Sequence, residues 1–438
     1  MEHYDLLVIG FGKAGKTLAG KLSAAGKKVA LVEENPAMFG GTCINIGCIP
    51  TKTLLVAAEK NWSFEQAMEQ KETITGRLRN KNELVLKGTG VTLYQGKARF
   101  VADKQVVVEA GEEKLELAAD TVVINTGAVS RVLPIPGLLD TPHVYDSTGI
   151  QQLSQRPDRL AIIGGGNIGL EFAGLYAKLG SQVTVFEAGD CLLPREEESV
   201  VKLAQGYMEE AGIQFVLGAQ IEEVAASGEQ VLVRYDGKEQ LVDAVLYATG
   251  RVPNTQDLGL EQTGIERAAN GAIVVDDYCE TTVPGVYAVG DVNGGPQFTY
   301  TSLDDFRIVF GKLTGTGSYK RSDRKSVPTS IFLHPVLSRV GLTEAEAQEA
   351  GYAYVANELP VANMPRAHVN NDLKGLFKVI VDKDSQLILG ATLFGCNSEE
   401  LINLIAMAID NKISYTYFKT QLFTHPTMAE NLNDVFNF

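Results

Sequence analysis

The sequence predicts an α/β protein with two Rossmann-like, three-layer nucleotide-binding domains and an α+β C-terminal domain. Two glycine-rich turns, at residues 6–15 and 160–169, each join an apolar strand to a helix. Each turn is followed by a β-rich run that ends in an acid, Glu33 or Glu187, 23 residues after the first glycine. From about residue 328 strands alternate with helices and no nucleotide motif recurs. The chain therefore repeats one nucleotide-binding unit and then adds a domain of another kind.

The glycines of these turns have distinct tasks in dinucleotide binding. The first makes the turn, the second lets the backbone approach a pyrophosphate, and the third lets helix and strand pack. The acid binds a ribose hydroxyl, and the helix N-terminus favours the phosphate. The alternative is that both are only tight turns of an α/β sheet. Strand, glycines, helix and acid at one spacing favour nucleotide binding. The motif residues are Gly10, Gly12, Gly15 and Glu33 in the first copy, and Gly164, Gly166, Ile168, Gly169 and Glu187 in the second.

A second repeat places the domain boundaries. Residues 122–127 and 245–250 both end an apolar strand in Thr-Gly, each after a β-meander, at residues 91–120 and 213–243. A further strand ends in Gly290-Asp291, with a helix expected from about Ser302. The predicted domains are an FAD-binding domain in two parts (1–148 and 266–327), an NAD(P)H-binding domain (149–265) and an interface domain (328–438).

Composition and charge exclude several classes of protein. The net charge of −15 argues against a nucleic-acid surface, and no apolar run approaches the length of a membrane span. Because the first strand starts almost at once, we expect no signal peptide. Five cysteines in 438 residues indicate a reducing compartment, so we expect a cytoplasmic protein. The histidines outside the C-terminal segment share no ligand spacing, and we assign no metal; they are His3, His143, His334 and His368.

Cys43 and Cys48 form a pair too close for an architectural crosslink and spaced wrongly for zinc. Five residues of regular helix rise about 7.5 Å, whereas a disulfide needs Cα atoms closer than about 7 Å. The pair can therefore bridge only where a helix is beginning, which Gly47 and Pro50 favour. A thiol there forms a thiolate easily. We predict a disulfide that cycles; the alternative is two buried, reduced cysteines.

These motifs resemble those of the pyridine nucleotide-disulfide oxidoreductases, the flavoenzyme family of glutathione reductase, dihydrolipoamide dehydrogenase and mercuric reductase. The likeness covers essentially the whole chain. Within the family the chain is most similar to the RclA type of reactive-chlorine-resistance flavoenzymes, which include hypothiocyanous acid reductases. The segments that carry this closer likeness are residues 10–17, 43–53, 298–308 and 423–434.

The resemblance implies the cofactors and their residues. It assigns the first glycine motif to FAD and the second to NADH or NADPH. A carboxylate at Glu187 accepts ribose hydroxyls and repels a 2′-phosphate, which predicts a preference for NADH. Electrons then pass from NADH through FAD to the disulfide, with Cys48 as the flavin-side thiolate and Cys43 as the interchange thiol. The further implied residues are Thr42, Lys52, Ala98, Thr126, Gly127 and Asp291 for FAD, and Gly250 for the nicotinamide nucleotide.

Two side-chain pairs complete the implied site. The resemblance makes Lys52 and Glu171 an ion pair beside the flavin, the alternative being an ordinary interdomain salt bridge. It makes His425 the general acid/base, oriented by Glu430 and supplied from a second subunit. Thr427 and Glu430 also have capping-box spacing, which explains Glu430 without catalysis. Both contacts can hold, since they use different oxygens.

Departures from the better-known relatives narrow the substrate. Thr424 stands where dihydrolipoamide dehydrogenases usually have a histidine, and no cysteine follows Cys396, unlike the C-terminal pair of mercuric reductases. Phe298, Tyr300 and Phe423 could wall a channel for a small oxidant, with aromatic core packing as the alternative. The expected function is reduction of a small oxidant, chiefly hypothiocyanous acid or related chlorine species. The alternatives are dihydrolipoamide dehydrogenase, another disulfide reductase, or a flavin-bearing redox sensor.

The C-terminal domain predicts the assembly. It carries no nucleotide motif and ends in the apolar residues Val435, Phe436 and Phe438, which a lone subunit is expected to cover poorly. His425 is the histidine in a convincing local context, yet it lies far from Cys43 in sequence. A two-fold homodimer, in which each tail reaches the other subunit's disulfide, satisfies both observations.

Overall fold

The computed structural model describes residues 1–438, a mixed α/β fold as the sequence predicts. The strands are β1 (Glu2–Ile9), β2 (Val29–Glu33), β3 (Thr92–Gln95), β4 (Lys97–Ala102), β5 (Gln105–Ala110), β6 (Glu113–Ile124), β7 (Ala128–Ser130), β8 (Val144–Tyr145), β9 (Arg159–Ile163), β10 (Gln182–Glu187), β11 (Gln214–Leu217), β12 (Ile221–Ser227), β13 (Gln230–Tyr235), β14 (Lys238–Val242), β15 (Ala244–Tyr247), β16 (Arg251–Pro253), β17 (Val286–Ala288), β18 (Thr329–Ile331), β19 (Leu337–Gly341), β20 (Tyr354–Pro360), β21 (Leu376–Asp382) and β22 (Ile388–Phe394).

One helix follows each glycine turn, and two further helices contain the redox cysteines. The helices are α1 (Lys13–Ala24), α2 (Thr42–Asn45), α3 (Cys48–Glu59), α4 (Phe64–Gly88), α5 (Asn167–Lys178), α6 (Glu198–Glu210), α7 (Thr299–Thr314), α8 (Glu344–Glu349), α9 (Pro365–Asn370), α10 (Ser398–Asp410), α11 (Tyr415–Thr420) and α12 (Leu432–Val435). Short 3₁₀ helices include Gly290–Asn293 and Ala429–Asn431. No helix combines the length and apolar character needed to cross a bilayer.

The chain packs as two compact units. The first comprises Met1–Val132, Asp146–Ser154 and Thr249–Arg324, and the second comprises Leu133–Tyr145, Gln155–Ala248 and Lys325–Phe438. The second unit thus groups most of the second nucleotide motif's surroundings with the C-terminal region. The three predicted domains, of which the FAD-binding domain has two parts, divide the chain more finely, and their boundaries stay a prediction.

The first unit is built on one seven-stranded sheet. Its order is β3-β2-β1-β6-β5-β4, and β17 pairs with the end of β6. β1 runs parallel to β2 and β6, so the carboxyl ends of these strands meet at one edge. Their side chains are buried on both faces, in two apolar clusters against the helices and the meander. The fold therefore brings Gly10, Glu33 and Asn125 to a common edge.

β6 resolves the first predicted meander and returning strand into one element. Its first half pairs antiparallel with β5, from Glu113 to Ala118, while its later residues pair parallel with β1 and β17. The second copy separates these tasks. A three-stranded antiparallel sheet, β12-β13-β14, stands apart, and β15 starts anew at Ala244. The repeat in sequence is thus real, but the first copy fuses two strands that the second keeps distinct.

The second unit contains a parallel sheet and an antiparallel sheet. The parallel sheet has the order β11-β10-β9-β15-β8, and it positions the second glycine turn after β9 and Glu187 at the end of β10. The C-terminal sheet is antiparallel, with the order β18-β19-β22-β21-β20. Its apolar face packs with α10 and α12 around a separate core. This confirms the predicted α+β character beyond residue 328.

A buried ion network ties these two parts of the second unit together. The Lys378 ammonium, on β21, lies 3.2 Å from Glu197, 2.6 Å from Glu344 and 3.3 Å from Glu358. The side chains of Lys378 and Glu197 are only 7% and 6% exposed. Burial acts to lower the pKa of Lys378, but the carboxylates of Glu344 and Glu197 outweigh it and raise the pKa. Removing one partner of such a cluster would leave a buried charge unpaired, which costs about 3–5 kcal/mol.

The structure corrects the expectation for the C-terminal tail. Val435 and Phe436 are both 0% exposed, since the chain's own C-terminal core covers them, with Phe436 packed against Phe418. Only Phe438 stays partly open, at 40%. Sequence reasoning failed here because an apolar run at a chain end does not show whether its own domain has a groove for it.

Candidate functional site

The two cysteines lie where one helix ends and another begins. Cys43 belongs to the single turn α2, and Cys48 is the first residue of α3, after Gly47. Both are free thiols. The helix is broken between them at Ile46 and Gly47, so the regular-helix separation does not apply. The sequence prediction that Cys48 opens a helix is confirmed, and a helix N-terminus stabilises a thiolate.

The pair is electrostatically asymmetric. The hydrogen bond with Cys43 lowers the pKa of Cys48 to about 6. The partial burial of Cys48 opposes this, while Thr299 and the Lys52 ammonium add to the lowering. The same bond, together with burial, raises the pKa of Cys43. Cys48 is therefore the more acidic thiol of the pair, and Cys43 is placed to donate a hydrogen bond to it.

The start of α7 lies beside the cysteine pair. The Thr299 Oγ1 is 3.7 Å from the Cys48 Sγ. On either side of it, the rings of Phe298 and Tyr300 stack with centroids 5.0 Å apart and an angle of 7° between their planes. Burial raises the pKa of Tyr300, and the charge of Cys48 adds to this. Phe298 and Tyr300, two of the three aromatic residues proposed to wall a channel, thus flank Thr299, the residue beside Cys48. The third, Phe423, packs against the C-terminal core.

The first glycine turn positions an acid as the sequence predicts. Glu33 accepts the N–H of Phe11 at 2.9 Å with one oxygen and the N–H of Asn35 at 3.1 Å with the other. Burial raises the pKa of Glu33, and these backbone donors oppose the rise. The carboxylate is thereby held at the edge where Gly10 turns the chain from β1 into α1.

Asn125 is a site residue that sequence reasoning missed. Its Oδ1 accepts the N–H of Gly15 at 2.8 Å, and its Nδ2 donates to the Val289 carbonyl at 2.8 Å. A Cβ at Gly12 would lie 2.5 Å from the Asn125 Oδ1, so only glycine fits there. The side chain fastens the glycine turn to β6 and β17. The corresponding residue of the second copy is Ala248, so comparing the two repeats does not reveal Asn125.

The second glycine turn repeats the geometry of the first. Glu187 accepts the N–H of Gly165 at 2.7 Å and the N–H of Gly189 at 2.8 Å. In both copies the acid binds the residue after the first glycine and the residue two positions after itself. Gly169 cannot carry a side chain, because its Cβ would lie 2.0 Å from the Gly164 carbonyl. Ile168 lies in the first turn of α5.

The remaining predicted cofactor residues lie at strand ends or helix starts, apart from one. Thr42 opens α2, and Asp291 is in the 3₁₀ helix after β17. Thr126 follows β6 and donates to the Asn254 carbonyl at 2.7 Å. Ala98 is buried within β4. Gly127 and Gly250 have φ angles of 72° and 104°, and a Cβ at either would touch nothing within 4 Å.

A partly buried guanidinium near Cys48 was also missed. Arg251, just after Gly250, donates to the Ala128 carbonyl. Burial lowers its pKa, and the charges of Asp291, Asp146 and Cys48 oppose the lowering. Burial likewise raises the pKa of Asp291, and Arg251 opposes it. Arg251 thus belongs to the first unit's charge network, which its position directly after a Thr-Gly motif could have indicated.

Gln151 binds the loop between the two redox cysteines. Its Nε2 donates to the Ile46 carbonyl, between the two cysteines, at 3.1 Å and to the Ser147 carbonyl at 2.6 Å. The buried Lys71 ammonium donates to the Gln151 carbonyl and lies 2.6 Å from Glu72. The segment between the two nucleotide repeats therefore positions the loop that carries the cysteines, through a contact between distant parts of the chain that no local pattern signals.

The implied Lys52–Glu171 pair has one member in each compact unit. Lys52 lies on α3, in the helix that Cys48 opens, and lowers the pKa of Cys48. Glu171 lies on α5, where it is 7% exposed and its Oε1 accepts the N–H of Phe332 at 3.0 Å. The pairing of the two side chains stays a prediction.

His425 and Glu430 meet as the sequence predicts. The His425 Nδ1 lies 2.7 Å from the Glu430 Oε2. The other carboxylate oxygen accepts the N–H of Thr427 at 3.1 Å, and the Thr427 hydroxyl accepts the N–H of Glu430 at 3.2 Å. Both the histidine contact and the capping box therefore hold, on different oxygens. The His425 side chain is 70% exposed, which leaves its Nε2 side open for chemistry.

The glycine turns fit a bound dinucleotide. The N-cap residues Gly12 and Gly166 carry no side chain that could cap α1 or α5, and a Cβ at Gly166 would meet open space. A pyrophosphate can approach the N-terminus of α5 directly, whereas in α1 the side chains of Asn125 and Ser302 already accept the N–H groups of Gly15 and Ala14. Among His, Cys, Asp and Glu side chains of residues 1–438, no group of three or more is placed to hold a metal ion.

Comparison with known proteins agrees with this arrangement. The family model of the pyridine nucleotide-disulphide oxidoreductases matches residues 4–305, and the model of that family's dimerisation domain matches residues 327–436. The chain is 45% identical to the probable pyridine nucleotide-disulfide oxidoreductase RclA of Escherichia coli (strain K12), over 100% of this chain and 99% of that protein. It is 31% identical to the dihydrolipoyl dehydrogenase of Chlamydia muridarum, over 98% of this chain and 95% of that protein.

A solved structure extends the likeness to the fold. The Cu(II) complex of the HOCl-induced flavoprotein disulfide reductase RclA from Escherichia coli superimposes with a TM-score of 0.98 at 45% identity, covering 100% of this chain and 99% of that one. The chain therefore belongs to the pyridine nucleotide-disulphide oxidoreductase family, whose members are flavoproteins that use FAD and NAD(P)H.

Proposed function

We propose that the chain is an NADH-preferring reductase that uses a Cys43–Cys48 disulfide to reduce a small reactive oxidant, hypothiocyanous acid first and related chlorine species second, as an antioxidant defence. The observation that carries this proposal is the asymmetric cysteine pair, with Cys48 poised as a thiolate and Cys43 as a thiol. The geometry supports this reading, because Cys48 is the first residue of α3 and lies 3.7 Å from the Thr299 hydroxyl, and a helix N-terminus and a hydroxyl both favour negative charge on sulfur. The likeness to RclA of Escherichia coli, an HOCl-induced flavoprotein disulfide reductase, supports an oxidant as substrate.

The chemistry balances with two thiols and one oxidant. The Cys43 thiolate attacks the sulfur of hypothiocyanous acid and displaces hydroxide, which leaves as water after protonation. Cys48 then attacks the Cys43 sulfur, expels thiocyanate and forms the disulfide. FAD, when bound, supplies the two-electron transfer from the nicotinamide coenzyme that reopens the disulfide. The net reaction converts NADH and hypothiocyanous acid to NAD⁺, thiocyanate and water.

His425 is the proposed proton carrier of this cycle. Cys43 must lose its proton to attack, yet its pKa is raised, so a general base is needed. Glu430 binds the His425 Nδ1, which fixes the ring and leaves Nε2 to exchange a proton. The same ring then protonates the departing hydroxide. We propose that it does so for Cys43 of a second subunit.

Support for a homodimer comes from the C-terminal region. It matches the family's dimerisation domain, and Leu422 is 91% and Met407 62% exposed. These exposed apolar side chains are candidates for the subunit contact. Because the chain has only five cysteines in 438 residues, we also propose a reducing, cytoplasmic location.

Steady-state oxidation of NADH by the purified holoenzyme with a panel of oxidants tests the substrate. We expect kcat/KM for hypothiocyanous acid to exceed that for lipoamide or glutathione disulfide by at least about a hundredfold. The proposed physical reason is access, with the stacked rings of Phe298 and Tyr300 beside Thr299 as walls of a channel for small oxidants. The Cys43→Ser protein measures the reaction of each oxidant with NADH itself.

Other outcomes of the panel select other functions. Lipoamide turnover as fast as that of hypothiocyanous acid would identify a dihydrolipoamide dehydrogenase, a relative that the chain also matches over its length. Slow NADH oxidation with every oxidant, together with capture of a specific protein partner, would identify a redox sensor instead.

The geometry of Glu187 supports the coenzyme preference. Its carboxylate is held by the N–H groups of Gly165 and Gly189 at the end of β10, where a coenzyme ribose lies in Rossmann folds. We expect Glu187→Arg to raise the NADPH/NADH ratio of kcat/KM by about tenfold to a hundredfold, because a hydrogen bond to a charged group is worth about 1.5–3 kcal/mol.

Controls separate recognition from general charge. Glu209→Arg, at the exposed end of α6, makes the same charge change away from the turn and should leave the ratio as it was. Glu187→Gln keeps an acceptor oxygen for one of the two N–H groups and removes the charge, so it should weaken the preference without reversing it. An unchanged ratio in a folded Glu187→Arg protein would show that Glu187 does not face the ribose.

A further inference from the structure

Thr299 contacts the reacting sulfur from a distant part of the chain. Its hydroxyl lies 3.7 Å from the Cys48 Sγ, although 251 residues separate the two. Thr299 is also the first residue of α7, which runs for 16 residues. Cys48 therefore lies close to the first residues of two helices, its own α3 and α7. Both helix ends favour negative charge on the sulfur.

The Thr299 hydroxyl is not what fixes the start of α7. That task belongs to Thr301, whose Oγ1 donates to the Pro296 carbonyl at 2.6 Å and the Phe298 carbonyl at 2.7 Å and accepts the Phe298 N–H at 3.3 Å. Thr301 is 4% exposed. A residue at the position of Thr299 could thus begin the helix without a hydroxyl, so the hydroxyl calls for a reason other than capping.

The order of the thiol chemistry supplies that reason. Cys43 stabilises the Cys48 thiolate only while Cys43 keeps its proton. In the proposed cycle Cys43 becomes a thiolate and then bonds to the oxidant's sulfur, so it stops donating. Cys48 must remain a thiolate through this step, because it carries out the next attack. Thr299 has a hydroxyl that cannot be lost in the same way.

We propose that Thr299 is a positioning residue of the disulfide chemistry, whose hydroxyl donates to Cys48 and keeps this sulfur a thiolate after Cys43 has given up its proton. The assignment rests on the proposed redox cycle of Cys43 and Cys48. Thr299 contributes to the lowered pKa of Cys48 alongside Cys43, and it also acts to lower the pKa of Cys43 while that sulfur is unbonded. The other titratable groups that act on Cys48 are Lys52 on α3, Arg251 on β16 and Tyr300 on α7, and none of them is changed in the test.

The test isolates the hydroxyl by removing the competing donor. In reduced holoenzyme carrying Cys43→Ala, the pH profile of Cys48 alkylation by iodoacetamide is measured from the mass of the Cys48 peptide. Adding Thr299→Val, which keeps the side-chain shape, should move the midpoint upward by about one pH unit or more, a tenfold change in the proton equilibrium. In the protein with Cys43 intact the shift should be smaller, since Cys43 still donates.

Two further variants make the result specific. Thr299→Ser restores a hydroxyl and should return the midpoint to within a few tenths of a unit of the Thr299 protein, roughly the resolution of such profiles. Thr314→Val removes a hydroxyl from the other end of α7, where it donates to the Phe310 carbonyl at 2.7 Å, and should not move the midpoint. If Thr299→Val loses FAD or folds poorly, Thr299→Ala and Thr299→Ser are compared instead.

The result is independent of the substrate. The assignment of Thr299 would be wrong if Thr299→Val left the midpoint of Cys48 alkylation unchanged both with Cys43 intact and with Cys43→Ala. Alkylation uses neither NADH nor an oxidant, so an upward shift together with no turnover of hypothiocyanous acid would retain the role of Thr299 and reject the proposed substrate. Normal turnover of hypothiocyanous acid with no shift of the Cys48 alkylation midpoint would retain the proposed substrate and reject the role of Thr299.

Discussion

Replacing either redox cysteine by serine should remove at least about 10³ of oxidant-dependent turnover, because each sulfur forms or breaks a bond in the cycle. The two variants should nevertheless look different. Cys48 is the sulfur with the lowered pKa, so Cys43→Ser should retain a thiolate next to the oxidised flavin and show a permanent long-wavelength charge-transfer absorbance. Cys48→Ser should lack that absorbance at every stage of reduction.

The pH dependence of the absorbance follows from the same assignment. The pKa of Cys48 is lowered from the ordinary thiol value to about 6, so the thiolate predominates above that pH and is protonated below it. In wild-type protein reduced with one equivalent of NADH, we expect the absorbance to be complete at pH 8 and to fade as the pH falls through about 6.

The serine of Cys43→Ser still offers a hydroxyl to Cys48, whereas Cys43→Ala does not. The fading should therefore occur at higher pH in the alanine protein than in the serine protein. Absorbance titrations of both measure this directly. If the permanent absorbance appeared in Cys48→Ser and not in Cys43→Ser, the roles of the two sulfurs would be interchanged.

The features predicted correctly from the sequence are those set by local spacing. Gly47 before Cys48 predicts a helix start, and α3 begins at Cys48. The glycine-to-acid spacing predicts that Glu33 and Glu187 occupy equivalent places, and both bind the same two backbone positions of their turns. Thr427 and Glu430 likewise form the capping box that their spacing predicts. In each case one turn or one β-α-β unit contains all the atoms involved.

The features that the sequence did not reveal depend on contacts between distant segments. Asn125 is 110 residues from Gly15, Gln151 is 105 from Ile46 and Thr299 is 251 from Cys48. None has a neighbouring residue whose spacing marks it, and in the repeat Asn125 is replaced by Ala248. The prediction that the C-terminal tail would be poorly covered was wrong for a related reason. Phe436 is buried against residues such as Phe418, which lie on another element.

Subunit complementation is the decisive expected result for the assembly and for His425. His425→Ala should lower oxidant turnover by about 10²–10⁴, the usual contribution of a general acid/base. Cys43→Ser lacks the attacking sulfur. When the two inactive proteins are mixed in equal amounts, unfolded together and refolded, heterodimers should carry one site with both mutations and one with neither. About half of the dimers should be heterodimers with one working site of two, so about a quarter of wild-type activity should return.

The argument depends on the histidine acting across a two-fold axis, and the controls address that point. A mixture of His425→Ala with Glu430→Gln should recover little, because both changes fall on the same proton carrier and each site of the heterodimer keeps one of them. In the wild-type protein a Glu430 carboxylate oxygen accepts the Thr427 N–H at 3.1 Å. The amide oxygen of Glu430→Gln can still accept this N–H. A loss of activity in Glu430→Gln therefore reflects the lost contact with His425 and not the loss of the helix cap. Mass measurement establishes how many heterodimers formed. If they form in the expected share and no activity returns, His425 serves its own subunit or takes no part in the reaction, and the raised pKa of Cys43 would then require a base from elsewhere.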